Sequence, residues 1–154
     1  MNKLVMAIDD SATVRKILEV ALRREGFEVV SYPDGIAALQ AVNARQLDRL
    51  PDLVILDLEL PKMNGFEIAR YLRSKPQWNR TVLVILSRRD GIIDHLKARL
   101  AGVQAYLTKP FTRQMIVDAV KRSLGLPDAS SLTSAYLQEE NGYDHDETTQ
   151  YVCH

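Results

Sequence analysis

The chain has 154 residues, nearly half of them apolar and a quarter charged, which is the mix of one ordinary globular domain. No apolar run approaches the roughly 18 to 20 residues that a membrane-spanning helix needs, and a single cysteine, Cys153, excludes an internal disulfide framework. Net charge is zero but lopsided: residues 1–125 hold all 20 Lys and Arg against 14 Asp and Glu, whereas residues 126–154 hold 6 acids and no Lys or Arg.

The opening MNKLVMAIDDS has too short an apolar run and too early an acid pair for a signal peptide, so the expected setting is the cytoplasm. Residues 4–8 read as a buried strand that runs into Asp9 and Asp10. Ser11 is placed to cap a helix whose apolar stripe is Val14, Ile17, Leu18, Ala21 and Leu22, with Gly26 to end it. A second strand over 27–32 and a helix over roughly 35–47 follow. The third strand, 53–56, ends on Asp57, with Glu59 two residues on and a turn signal in Pro61, Asn64 and Gly65. Helices over 65–75, 91–101 and 113–124 enclose strands at 82–86 and 105–107, which run into Ser87 and into Lys109–Pro110. Composition changes near 125–127, dividing a 1–125 body from an acidic 126–154 tail. In that tail Leu132, Ala135, Tyr136 and Leu137 suggest one short amphipathic helix, and NGYDHDETT reads as disordered or ordered only against something else.

Five strands alternating with five helices predict an α/β fold, a doubly wound parallel sheet of flavodoxin-like type. Such sheets bind ligands at the carboxyl ends of their strands, beside the point where strand order reverses. Asp9, Asp10, Asp57, Ser87 and Lys109 all stand at such ends and would meet at one edge. Three crowded carboxylates repel and need a cation. Oxygen-only ligands that leave room for water and phosphate suit Mg²⁺, with Mn²⁺ as a substitute. A lysine and a hydroxyl beside that metal make a place for a tetrahedral dianion, and a carboxylate there can serve as nucleophile.

These residues, in AIDDS, VILDLELPKMNG, VILSRRDG and AYLTKPF, resemble the motifs of response-regulator receiver domains of the stand-alone, CheY-like type. The resemblance spans roughly 3–125, and the LSRRDG to TKPF segment is also similar to single-domain regulators of twitching motility and phototaxis. It implies the receiver fold with strand order 2-1-3-4-5. Asp57 is then the phosphoacceptor for a histidine kinase or histidine phosphotransfer protein of a bacterial two-component or phosphorelay pathway. Asp10 and Asp57 would ligate the metal with the Glu59 backbone carbonyl, and Asp9 would act largely through water. Lys109 would pair with the phosphoryl group, and the Lys109–Pro110 bond would be cis. Ser87 would swing toward a phosphoryl oxygen, with Tyr106 following it inward as the switch. An effector protein would then read the surface of the fourth helix, fifth strand and fifth helix. The resemblance implies a regulatory protein rather than an enzyme, catalytic only toward its own phosphorylation and dephosphorylation.

Several features depart from the commonest pattern. Ser87 stands where many members have Thr, which keeps the hydroxyl. Glu59 and Arg89, each two residues beyond a site residue, are expected to flank the phosphoryl group as a lid pair that hinders water. The tail has no basic stripe and no room for a helix-turn-helix, so direct DNA binding is not expected. His145, Cys153 and His154 fit no zinc spacing. Membrane association is not expected, and a homodimer is left open. Two rivals share some of these features. A haloacid-dehalogenase-like phosphatase would also use Asp57 as nucleophile with an acid two positions on, but it would need a cap-sized insertion that the sequence lacks. A constitutive binding module would lack an acid or the lysine, and none is missing.

Overall fold

A computed structural model describes residues 2–128; the tail helix expected around Leu132–Leu137 and the side chains of His145, Cys153 and His154 lie outside that range. Five parallel strands form one sheet in the order 2-1-3-4-5: β1 (Leu4–Ile8), β2 (Glu28–Tyr32), β3 (Leu53–Leu56), β4 (Val82–Ser87) and β5 (Ala105–Thr108). The helices α1 (Ala12–Arg24), α2 (Gly35–Asn43), α3 (Gly65–Arg73), α4 (Ile92–Leu100) and α5 (Arg113–Ser123) connect them. The predicted order and type of every element hold, and the boundaries differ by a few residues. A short 3₁₀ turn at Pro76–Trp78, not expected from the sequence, brings Trp78 into the core between α3 and β4.

Strand periodicity sorts the core into two layers, because successive side chains of a strand point to opposite faces. Met6, Ile8, Val54, Leu56, Leu83 and Ile85 pack with Ile68, Leu72 and Trp78 on the α2–α3–α4 face. Val5, Ala7, Leu53, Ile55, Val84 and Leu86 pack with Leu18, Leu22, Ile116 and Val120 on the α1–α5 face. Covered on both sides, β1 and β3 are apolar at every position, as a central parallel strand must be.

Local chemistry fixes where most helices begin. Ser11 accepts the Val14 N–H, Asp34 the Ala37 N–H and Thr112 the Met115 N–H. Asn64 and Glu67 form a reciprocal capping box at the start of α3. Helix α4 alone among these five starts without a side-chain cap, at Gly91. It also leaves Ile92, Ile93, Leu96 and Leu100 largely exposed, with Ile92 at 88%. Beyond α5 the ordered body continues a little: Leu126 packs on the α1–α5 core, and buried Asp128 accepts a hydrogen bond from Arg122 Nε. No helix among the described residues is long and apolar enough to cross a membrane.

One glycine sets the distance between α3 and the end of β3. A Cβ at Gly65 would lie 2.4 Å from the Asp57 carbonyl oxygen and 3.1 Å from the Leu58 Cα, both backbone atoms that cannot step aside. Gly26, with φ +90°, has open space around it and faces only the cost of a left-handed backbone. Gly65→Ala is therefore expected to lose about 1–3 kcal/mol of unfolding free energy from overpacking and to displace the Asp57 and Glu59 amide resonances. Gly26→Ala should lose about 1–2 kcal/mol and leave those resonances in place. Urea unfolding and amide spectra of the two variants check this.

Candidate functional site

The ladder that builds the sheet continues one residue past three of its strands. Asp9 N–H donates to the Tyr32 carbonyl, Asp57 N–H to Ile8 and Lys109 N–H to Ser87. Alternation therefore still governs these residues. Asp9 follows Val5 and Ala7, Asp57 follows Leu53 and Ile55, and Lys109 follows Ala105 and Leu107, all on the α1–α5 face. The three side chains meet there: Lys109 Nζ lies 2.7 Å from Asp9 Oδ2 and 2.9 Å from Asp57 Oδ2. Asp9 is 2% exposed and Asp57 5%. Asp57 lines a cavity of about 280 Å³ together with exposed Asp10 and Glu59.

Each buried charge has partners. Asp9 Oδ1 accepts the Ser11 N–H at 2.9 Å, and Asp57 Oδ1 accepts the Glu59 N–H at 3.0 Å. Burial pushes the Asp9 carboxyl above its ordinary range, against the lowering pull of the Lys109 hydrogen bond and the Ser11 N–H. Burial also acts to lower Lys109, but its hydrogen bonds to Asp9 and Asp57 outweigh that and hold the ammonium above its usual value. Asp9, Asp10 and Asp57 each offer a carboxylate oxygen within 4.8 Å of the others. An all-oxygen donor set on one open side of a cavity fits Mg²⁺ or Mn²⁺ and suits neither zinc nor copper.

Ser87 is at the same sheet edge but on the other face. It follows Leu83 and Ile85, is fully buried, and does not border the cavity; its Oγ accepts the Arg89 N–H at 3.4 Å. Tyr106 shares that face and is half-buried rather than exposed. Its ring stacks on His95 at 3.9 Å, and its hydroxyl donates to the Arg89 carbonyl. Burial, reinforced by nearby Asp94 and partly offset by Arg89, pushes the phenol up to about 12. Asp90 accepts from Thr108 Oγ1 at 3.0 Å and lies 2.9 Å from His95 Nε2, so the β4–α4 loop is fastened to both α4 and β5. The Lys109–Pro110 peptide is cis.

The lid pair expected between Glu59 and Arg89 is not formed. Arg89 makes a two-pronged contact with Asp94 in the first turn of α4, at 3.2 and 2.7 Å. Asp94 is nearer along the chain and lies on the same face as Arg89, and a bidentate carboxylate fixes a guanidinium well. The arginine that borders the cavity is its neighbour Arg88, which the sequence reading passed over. Counting by two from Leu86 would have put Arg88 on the α1–α5 side and Arg89 on the other.

A family model described as response regulator receiver domain matches residues 5–121. Protein PilG of Pseudomonas aeruginosa is 33% identical over 117 residues, covering 76% of this chain and 84% of PilG. The DNA-binding response regulator MtrA of Mycobacterium tuberculosis is 36% identical over 124 residues, and the chain spans about half of MtrA's length, 51%. The solved chemotaxis protein CheY4 of Vibrio cholerae shares 27% identity with a TM-score of 0.71, covering 80% of this chain and 99% of that one.

The Lys109 bridge makes a specific demand on pH. Without the ammonium two buried carboxylates stand unpaired, so Lys109→Met should lose about 3 kcal/mol near neutral pH in metal-free buffer. Asp9 already titrates above its ordinary 3.8 in the folded state and would rise further in the variant. A raised carboxyl favours the fold only while protonated, so the deficit against wild type is full at neutral pH and shrinks as pH falls toward 3.8. Urea unfolding of both proteins across that window tests it; a deficit that stays constant with pH would show that lost packing, not charge, is responsible.

Proposed function

The chain belongs to the family of response regulator receiver domains, and from that premise we propose that Asp57 is its phosphoacceptor in two-component or phosphorelay signalling. The donor is the phosphohistidine of a sensor histidine kinase or a histidine phosphotransfer protein. The observation that carries this reading is the ammonium of Lys109 held 2.9 Å from one Asp57 oxygen while the Glu59 N–H holds the other. A carboxylate so oriented, with a fixed cation beside it, is prepared to attack an electrophile that carries negative oxygens.

In the transfer an Asp57 oxygen forms a bond to phosphorus as the phosphorus–nitrogen bond to the donor imidazolium breaks, and the imidazole leaves neutral, keeping the proton already on its other ring nitrogen. Lys109 shifts a hydrogen bond from the carboxylate to a phosphoryl oxygen. Mg²⁺, or Mn²⁺ in its place, held by Asp9, Asp10, Asp57 and the Glu59 carbonyl, would supply charge neutralisation for those oxygens. Asp9, whose oxygens are held by Lys109 and the Ser11 N–H, would add its charge to that donor set.

The acyl phosphate adds up to about two charges and three acceptors at the end of β3. Ser87, one strand away, turns its hydroxyl toward them. That movement draws on the loop that carries Arg89, whose carbonyl receives the Tyr106 hydroxyl. Release of that contact lets Tyr106 move inward and changes the α4–β5–α5 face that a cytoplasmic effector protein reads. The chain is thus a regulator that assists only its own phosphorylation and dephosphorylation, not a haloacid-dehalogenase-type phosphatase.

Incubation with acetyl phosphate and Mg²⁺ should add one phosphoryl group to the wild-type chain by intact mass, and the group should be lost spontaneously. Asp57→Asn should take none. Lys109→Arg should still bind Mg²⁺ but label at least about tenfold more slowly, since an arginine fork cannot replace a compact ammonium at a buried site. Labelling of Asp57→Asn at the wild-type rate would remove Asp57 from the role.

A further inference from the structure

We propose that Arg88 binds the anionic oxygens of the incoming phosphodonor, an inference that rests on the reading of Asp57 as phosphoacceptor. The charges at this corner call for such a residue. Asp9, Asp10, Asp57 and Glu59 place four carboxylates at or below the cavity, and Lys109 is committed to two of them. A dianionic donor approaching this corner meets net negative charge, and a single divalent cation brings the corner only near neutrality.

Arg88 is the other cation that borders the cavity. It is exposed and makes no ion pair among the described residues, although Asp10 and Glu59 border the same space. Its neighbour Arg89 is turned to the opposite face and occupied by Asp94. Alternation beyond Leu86 aims Arg88 toward α1, where the cavity shares Val14, Arg88 and Lys109 with a groove of about 570 Å³. That groove is floored by Ile17, Pro110 and Phe111. Arg88 therefore stands between the apolar approach and the nucleophile. A guanidinium there can hold two phosphoryl oxygens at once, which both attracts the donor and orients it.

A cation at this position acts with opposite sign on the two ions the site handles. It favours the anionic donor and disfavours a divalent cation. A residue with a merely structural role would not separate the two. The experiment compares wild type, Arg88→Ala, Arg88→Lys and Arg88→Glu by two readouts. One is labelling by acetyl phosphate at saturating Mg²⁺ over a range of ionic strength. The other is Mg²⁺ affinity by calorimetry without any phosphodonor.

Arg88→Ala should label about three- to tenfold more slowly at low salt, with a shallower salt dependence, and bind Mg²⁺ about two- to fivefold more tightly. Arg88→Glu should exceed Arg88→Ala in both directions, and Arg88→Lys should keep the wild-type salt dependence and Mg²⁺ affinity but label more slowly than wild type, since an ammonium cannot hold two oxygens as a fork does. Labelling of Arg88→Ala within about twofold of wild type, or loss of labelling together with weaker Mg²⁺ binding, overturns the assignment of Arg88 alone. A wild-type chain that takes no label overturns the phosphoacceptor reading and this inference with it.

Discussion

Two buried carboxylates share one ammonium at the carboxyl edge of this sheet, and the rest of the site is arranged around that contact. Burial pushes the Asp9 carboxyl toward its neutral form. Lys109 offsets that effect from a third strand, and the Ser11 and Glu59 amides take the remaining lone pairs. The bridge is weak grounds for stability by itself, because desolvation consumes most of its attraction. Its consequence is orientation: it holds an ionised oxygen and a cation side by side without a ligand present. The close approach of Gly65 to the Asp57 carbonyl fixes the backbone under that arrangement.

The sheet divides its polar edge residues between its two faces. Asp9, Asp57 and Lys109 project with the α1–α5 core, while Ser87 and Tyr106 project with the α2–α3–α4 core. What joins the faces is the loop after β4, whose residues 88 and 89 point opposite ways: Arg88 toward the cavity, Arg89 toward Asp94. A displacement of that loop must be felt on both sides. Helix α4, which follows it, starts without a side-chain cap and is fastened by the Arg89–Asp94 and His95–Asp90 contacts. Contacts of that partly exposed kind are individually worth little, so this helix is the least firmly anchored of the five at its start. It is also the one with four large apolar side chains in solvent.

The similarity to PilG, MtrA and CheY4 is to proteins of different architectures: the chain matches most of PilG and of CheY4 but half of MtrA. The common part is the body that carries the acid pair, Asp57, Ser87 and Lys109.

The sequence by itself determined the order of elements, the parallel sheet and the edge at which the polar residues gather. Apolar runs of strand length, cap residues such as Ser11 and Asn64, and glycines at helix ends are local signals that no tertiary contact had to override. It also determined which residue types share that edge, because each stands directly after an apolar run. Only the tertiary structure decided who touches whom. Arg89 was expected to meet Glu59, and the face on which the loop leaves β4 turns it to Asp94 instead. The burial of Asp57 and the half-burial of Tyr106 were likewise set by neighbouring strands and by His95, which belong to other elements of the fold. Pairing among charges depends on distance and solvent exclusion, and a linear chain fixes neither until the sheet has brought its ends together.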